Sequence, residues 1–123
     1  MIKRVAREEA ELFPLPGRNW YTYVGPQNVA TERVSIGVSI FPPGSKPAGH
    51  VHDVQEETIY CAQGRGRIVT EGEVAEMTAG TVVWVEPGTF HATESDGPED
   101  LHLVCFFSPP VVPGSYEKPR DPA

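Results

Sequence analysis

An all-β fold, an antiparallel sandwich or barrel, is what this sequence predicts, and three observations carry that expectation. Glycine and proline number 12 and 13 in 123 residues, a density that breaks helices throughout the chain. Between these breakers lie short runs rich in Val, Ile, Tyr, Phe and Trp, side chains that suit a pleated, half-buried surface. Several runs alternate with a period of two, the repeat of a strand.

The first strand expected is NWYTYV (19–24), followed by RVSIGVSIF (33–41). In the second, Val34, Ile36, Val38 and Ile40 share one face, and Ser35, Gly37 and Ser39 share the other. ETIYCA (57–62), RGRIVT (65–70), EVAEM (73–77), TVVWVE (81–86) and LHLVCFF (101–107) complete the set. The connections PPGSKPAG, QG, EG, AG, PGT and SDGPED are turn sequences. The one helical candidate is short, around residues 6–11. Many short strands at this spacing suit a sandwich or barrel. Residues 1–20 read as an N-terminal arm, 21–108 as the barrel and 109–123, with five prolines, as an extended C-terminal arm. No internal repeat and no second domain is found.

Charge and composition narrow the partners. Ten Lys and Arg against 17 Asp and Glu leave a net charge of −7 with no basic run, a poor match for nucleic acid or an anionic membrane. No apolar stretch approaches the roughly 18–20 residues that span a bilayer. The start, MIKRVAREEAELF, lacks the apolar centre of a signal peptide. Cys61 and Cys105 do not make a disulfide framework. The expectation is a cytoplasmic, reduced protein.

Function is sought in GHVHDVQEETIYCAQG (49–64). Side chains two apart on a strand point the same way, roughly 7 Å apart. His50 and His52 can therefore lean onto one metal at bonds of about 2.0–2.2 Å. The bland alternative is a pair of surface histidines at a strand edge. Glu56 shares the parity of His52, but DVQ is poor strand sequence and a turn there resets the alternation. After the reset Glu57, Ile59 and Cys61 share a face. Local geometry leaves Glu56 and Glu57 equal.

The spacing of these residues resembles the first motif of the cupin superfamily: Gly, five residues, His-x-His, three or four residues, Glu, six residues, Gly. Here Gly44 is followed by SKPAG, His50, Val51, His52, DVQE, Glu57, TIYCAQ and Gly64. The resemblance thus implies Glu57 rather than Glu56. The second motif runs Gly, five residues, Pro-x-Gly, two residues, His, three residues, Asn. Gly80, TVVWV, Glu86-Pro87-Gly88, TF and His91 follow it, with Glu86 where proline is usual and Ser95 where asparagine is usual. The two motifs cover residues 44 to about 95. The resemblance implies a single-domain double-stranded β-helix, or jelly-roll barrel, and a metal held by His50, His52, Glu57 and His91. Three imidazoles and a carboxylate suit one divalent transition ion per chain: Fe, Mn, Ni, Cu, Co or Zn.

Other reactive residues have two readings each. His102 shares parity with Val104 and Phe106, opposite to Leu101, Leu103, Cys105 and Phe107; it is a fifth ligand or acid/base group, or a packed histidine. Cys61 points inward with Glu57 or is a small buried hydrophobe. Nothing pairs Cys105. Tyr60 and Trp84 are core or interface aromatics, or substrate platforms. Arg65 and Arg67 are solvated strand residues, or a clamp for a substrate carboxylate.

The resemblance does not name a reaction, because cupins host isomerases, oxygenases, decarboxylases, lyases, cyclases and binding domains. The first expectation is a metalloenzyme for a small oxygenated organic molecule, the metal serving as Lewis acid or dioxygen centre. The base would be a metal-bound hydroxide or a side chain that the sequence does not mark. A non-redox isomerase, lyase or cyclase is the alternative within enzymes. A small-ligand-binding module without turnover is the alternative outside them. A homodimer is expected, since small cupins commonly pair and both termini resemble exchangeable arms.

Overall fold

The β-branched and aromatic runs become strands, and glycine or proline turns end them. The computed structural model describes residues 1–116. After a 3-10 turn at Arg7–Glu9, the strands are β1 (Glu11–Leu15), β2 (Arg18–Val24), β3 (Ser35–Phe41), β4 (Glu56–Gln63) and β5 (Arg65–Thr70). β6 (Glu73–Thr78), β7 (Val82–Val85), β8 (Ala92–Ser95) and β9 (Leu101–Ser108) follow. They build two antiparallel sheets, ordered β1-β2-β3-β9-β4-β7 and β6-β5-β8. This is the predicted all-β, single-domain architecture. Among the described residues no helix is long and apolar enough to cross a membrane. The expected helix at 6–11 shrinks to its 3-10 turn. Two strands are additional: β1, within the segment read as an N-terminal arm, and β8. Residues 117–123 of the C-terminal arm lie outside the described residues.

The core lies between the sheets. Its largest contributors include Trp20, Phe41, Met77, Leu101, Leu103 and Phe107, each at most 3% exposed. Burial of such side chains stabilises by about 1.5–3 kcal/mol apiece. Trp20 meets Phe107 edge-on at 6.0 Å, and its indole N–H donates to Thr22 Oγ1 at 2.8 Å.

β3 presents its small face, not its aliphatic one, to this core. Ser35, Gly37, Ser39 and Phe41 are buried, while Ile36, Val38 and Ile40 are half-buried on the outer surface. The reason is the Trp20 ring. A Cβ on Gly37 would lie 2.1 Å from Trp20 Cζ2, so only glycine lets β2 and β3 pair with the indole inside. Gly64 answers a different demand. It joins β4 to β5 at φ +90°, and a Cβ there would meet the Asp100 carbonyl oxygen at 2.6 Å.

Candidate metal centre

Four segments converge at one end of the core. The link from β3 to β4 begins with a turn pinned to β8 by Ser95, which is 1% exposed. Ser95 Oγ donates to the Pro42 carbonyl and accepts the Ser45 N–H at 3.0 Å. The Ser95 backbone bonds Gly44 and Ser45 as well, at 3.1 and 2.9 Å. The serine standing in the asparagine position thus ties the two motifs together. Farther along, His50 and His91 exchange both backbone hydrogen bonds, at 2.9 and 3.0 Å. The His52 carbonyl accepts the Gly88 N–H at 2.9 Å. Glu57 enters from β4, opposite Val85 and Phe107.

These contacts bring His50, His52, Glu57 and His91 together with one donor atom each, all within 4.8 Å of one another. His52, Glu57 and His91 are buried and His50 is half-buried. His91 Nε2 lies 3.0 Å from Glu57 Oε1, and His52 Nε2 lies 3.5 Å from the same oxygen. The Thr89 carbonyl, 3.0 Å from His91 Nδ1, accepts a hydrogen bond from Nδ1–H and turns Nε2 toward the cluster. The donor set fits a divalent transition ion, which these four residues could hold. Glu56 faces outward and accepts the Trp84 indole N–H at 3.1 Å. The structure thereby separates the two glutamates that local parity leaves equal.

The charges of the cluster act on one another. Burial opposes ionisation of Glu57, but the hydrogen bond and charge of His91, with the charges of His52 and His50, outweigh it. Its carboxyl therefore lies below the ordinary carboxylate value. Burial likewise opposes protonation of His91, yet the bond and charge of Glu57 and the Thr89 carbonyl raise it above the ordinary histidine value. Both shifts favour a proton held between His91 Nε2 and Glu57 Oε1. Cys105 borders the same carboxylate, and burial followed by the charge of Glu57 pushes its thiol up.

The cluster opens on a cavity of about 30 Å³, room for a water or two. Apolar walls come from Trp20, Phe41, Ile59, Leu103 and Phe107. Further lining residues that the sequence pattern does not bring to the site include Arg18, Cys105 and Tyr116. Arg18 opens β2 and is 7% exposed, with Nη1 donating to the Pro16 carbonyl at 3.0 Å. Its parity with Trp20 is the signal that could have marked it as inward. Tyr116 closes the mouth, its ring 4.7 Å from His50 and 4.4 Å from His52. Val111 anchors that segment, buried and donating its N–H to Ser35 Oγ at 3.1 Å.

The remaining reactive residues lie elsewhere. His102 faces out from β9, away from the buried row Leu101, Leu103, Cys105 and Phe107. Cys61 is fully buried, its thiol directed at the Gln63 and Gly64 carbonyls, and burial raises it. Arg65 is exposed, and Arg67 pairs with Glu94 and Asp96 at 3.2 and 2.8 Å. Both cysteines are free thiols.

The chain is similar to several known proteins. Over 93 residues the chain is 26% identical to polyketide synthase CurC of Streptomyces cyaneus, covering 76% of this chain and 60% of that one. Over 86 residues it is 31% identical to L-ectoine synthase of Alkalilimnicola ehrlichii, covering 63% and 59%. The chain thus spans about three fifths of the length of these curated relatives. The polyketide cyclase RemF of Streptomyces resistomycificus superposes with a TM-score of 0.74 at 18% identity, over 88% of this chain and 80% of that one. The family model described as "Cupin domain" matches residues 37–107, which hold all four converging donors. By that match, over more than half of its length, the chain belongs to the cupin family.

Proposed function

We propose that this cupin is a metal-dependent enzyme acting on a small oxygenated organic substrate, with one divalent transition ion held by His50, His52, Glu57 and His91. The observation that carries the reading is the convergence of four donors within 4.8 Å at a cavity walled by apolar side chains. Lewis-acid polarisation of a substrate oxygen is the chemistry that such an ion supplies when bound. Non-redox ring closure, condensation or elimination is preferred to dioxygen chemistry. Two similar proteins named polyketide synthase CurC and polyketide cyclase RemF support that preference.

The chain's own residues contribute in distinct ways. Thr89 holds the His91 ring in one tautomer, so Nε2 faces the cluster without reorganisation. Trp20, Phe41 and Phe107 exclude bulk water and strengthen every charge interaction at the cavity. Outside the four donors, the ionisable side chains lining it among the described residues are Arg18, Cys105 and Tyr116. Proton transfer to or from substrate falls to Cys105 or Tyr116. We further propose that two copies pair through the outer face of the six-stranded sheet. Tyr60, Val82, Trp84 and Phe106 are exposed there on adjacent strands, an apolar patch suited to an isologous contact.

The test is metal content by mass spectrometry on tag-free protein purified anaerobically, followed by titration of the chelated protein. One equivalent per chain is expected, with a melting point raised by about 10 °C at a hundredfold excess over Kd. Metal-dependent turnover without oxygen uptake supports the Lewis-acid reading; stoichiometric oxygen uptake overturns it in favour of an oxygenase. No metal and no uptake on titration overturns the enzyme and leaves a binding module.

A further inference from the structure

The cavity under Tyr116 has room for a water or two, so with that ring in place the body of an organic substrate needs space elsewhere. A second cleft, of about 310 Å³, touches the same cluster, because His91 lines both. That volume falls in the range of roughly 300–1,000 Å³ typical of small-molecule sites. Its origin is topological. β6 and β7 follow one another along the chain, joined by residues 79–81, yet β6 ends the three-stranded sheet and β7 ends the six-stranded one. The two strands do not pair, and the seam between them reaches His91.

Ile68, Ala75, Val83 and Val85 give the seam apolar walls, and Trp84 borders it with aromatic surface. Thr70 and Thr89 set two hydroxyls among them. The Thr70 hydroxyl donates to the Phe90 carbonyl, so toward a ligand it is an acceptor. Among the described residues, the ionisable side chains of the lining are Glu73, Glu86 and His91, with no lysine or arginine. The two carboxylates disfavour an anion by like charge, and the apolar walls disfavour any charge drawn inside. A rigid ring bearing a hydroxyl fills such a slot with little ordering cost. We propose that the seam between β6 and β7 holds the apolar body of the substrate, a hydroxylated aromatic in its uncharged form, with its hydroxyl toward the metal centre. This rests on the metalloenzyme reading for the hydroxyl and on the seam alone for the ring.

The probes are 2-naphthol and the similarly shaped 2-naphthoate, titrated by calorimetry into chelated protein at about pH 7, where a phenol is neutral and a carboxylate ionised. Naphthol is expected to bind about tenfold more tightly than naphthoate, or better. Ala75→Phe fills the seam from β6, at a position outside the four donors, and should weaken naphthol by about tenfold or more. Val83→Phe fills it from the opposite wall and is the readout if Ala75→Phe does not fold. Replacing Glu73 and Glu86 together by glutamine should strengthen naphthoate and narrow the preference. Equal binding of the two probes, or naphthol binding indifferent to both phenylalanine variants, overturns the proposal. No naphthol binding, with Ala75→Phe instead halving the light-scattering mass, assigns the seam to a second copy and overturns it too. Cobalt-loaded protein reports on the hydroxyl: naphthol should shift the visible bands of the bound cobalt in the wild type and not in Ala75→Phe. Seam binding that leaves those bands unchanged overturns the seam as the place of the substrate. Cobalt bound without naphthol removes the seam and keeps the metal centre. Seam-dependent naphthol binding in a chain that takes no cobalt keeps the ring site and removes the metalloenzyme reading.

Discussion

Replacing Glu57 with glutamine should make the metal-free protein less stable in mild acid and no less stable in alkali. Two groups set this reversal. Glu57 titrates below its ordinary 4.5, so its contribution is present above pH 4.5 and fades as pH falls through the lowered value. His91 titrates above its ordinary 6.5, so its contribution is present below pH 6.5 and fades as pH rises through the raised value. Both are complete between about pH 4.5 and 6.5, where the pair is ionised. The side chains are 3% and 6% exposed, so water screens the bond little. A hydrogen bond between charged partners contributes about 1.5–3 kcal/mol. In a chain of 123 residues, at roughly 4 °C per kcal/mol, Glu57→Gln should melt about 6–12 °C below wild type at pH 5.5. At pH 9 the comparison changes. His91 Nδ1–H still donates to Thr89, so Nε2 is an acceptor facing a second acceptor in the wild type and an amide donor in the variant. The gap should close or change sign. Calorimetric melts of chelated protein at the two pH values measure it, and a gap that is constant or larger at pH 9 refutes the proton bridge.

Other expectations concern single positions. His52→Ala should remain folded by circular dichroism and lose at least about tenfold in metal affinity, since even residues that merely support a ligand cost 10–100-fold; full retention of metal would remove His52 from the centre. Gly37→Ala drives a methyl group into the Trp20 ring, with atoms at 2.1–2.6 Å. Overpacking of that severity should cost about 3 kcal/mol or more, near 12 °C, and an unchanged melting point would contradict the packing account of β3. The proposed pairing of copies should give a light-scattering mass of about twice 13.4 kDa, reduced to the single-chain value by Trp84→Glu; a monomeric wild type would end it.

Features that reside in local spacing are legible in the amino-acid sequence. Residues 65–70 form β5 as expected, and the four donors stand at fixed distances along the chain within a turn-rich frame. What local spacing cannot supply is which face points inward. The alternation of β3 defines two faces equally well, and only the Trp20 indole, arriving from β2, makes the small one interior. β1 is hidden by Pro14, a residue that breaks central strands but is tolerated on an edge strand such as this one. β8, four residues reading ATES, has too little β-branched or aromatic content to stand out. Arg18 and Tyr116 reach the cavity through strand pairing and through the path of the C-terminal segment. For Arg18 the mark is its parity with Trp20 alone, and for Tyr116 there is none. A family spacing separates Glu57 from Glu56, and the structure supplies the physical reason: one faces the core and the other the Trp84 indole.

The backbone bridge between His50 and His91 lies where the two sheets meet, Glu57 belonging to one sheet and His91 leading into the other. An ion gripped there fastens chain positions about forty residues apart, much as a crosslink does. Such a clasp can close only after both layers exist, so it contributes nothing to the barrier for reaching the native state and everything to the barrier for leaving it. Loading would therefore lengthen the lifetime of the folded molecule while leaving its refolding rate nearly untouched.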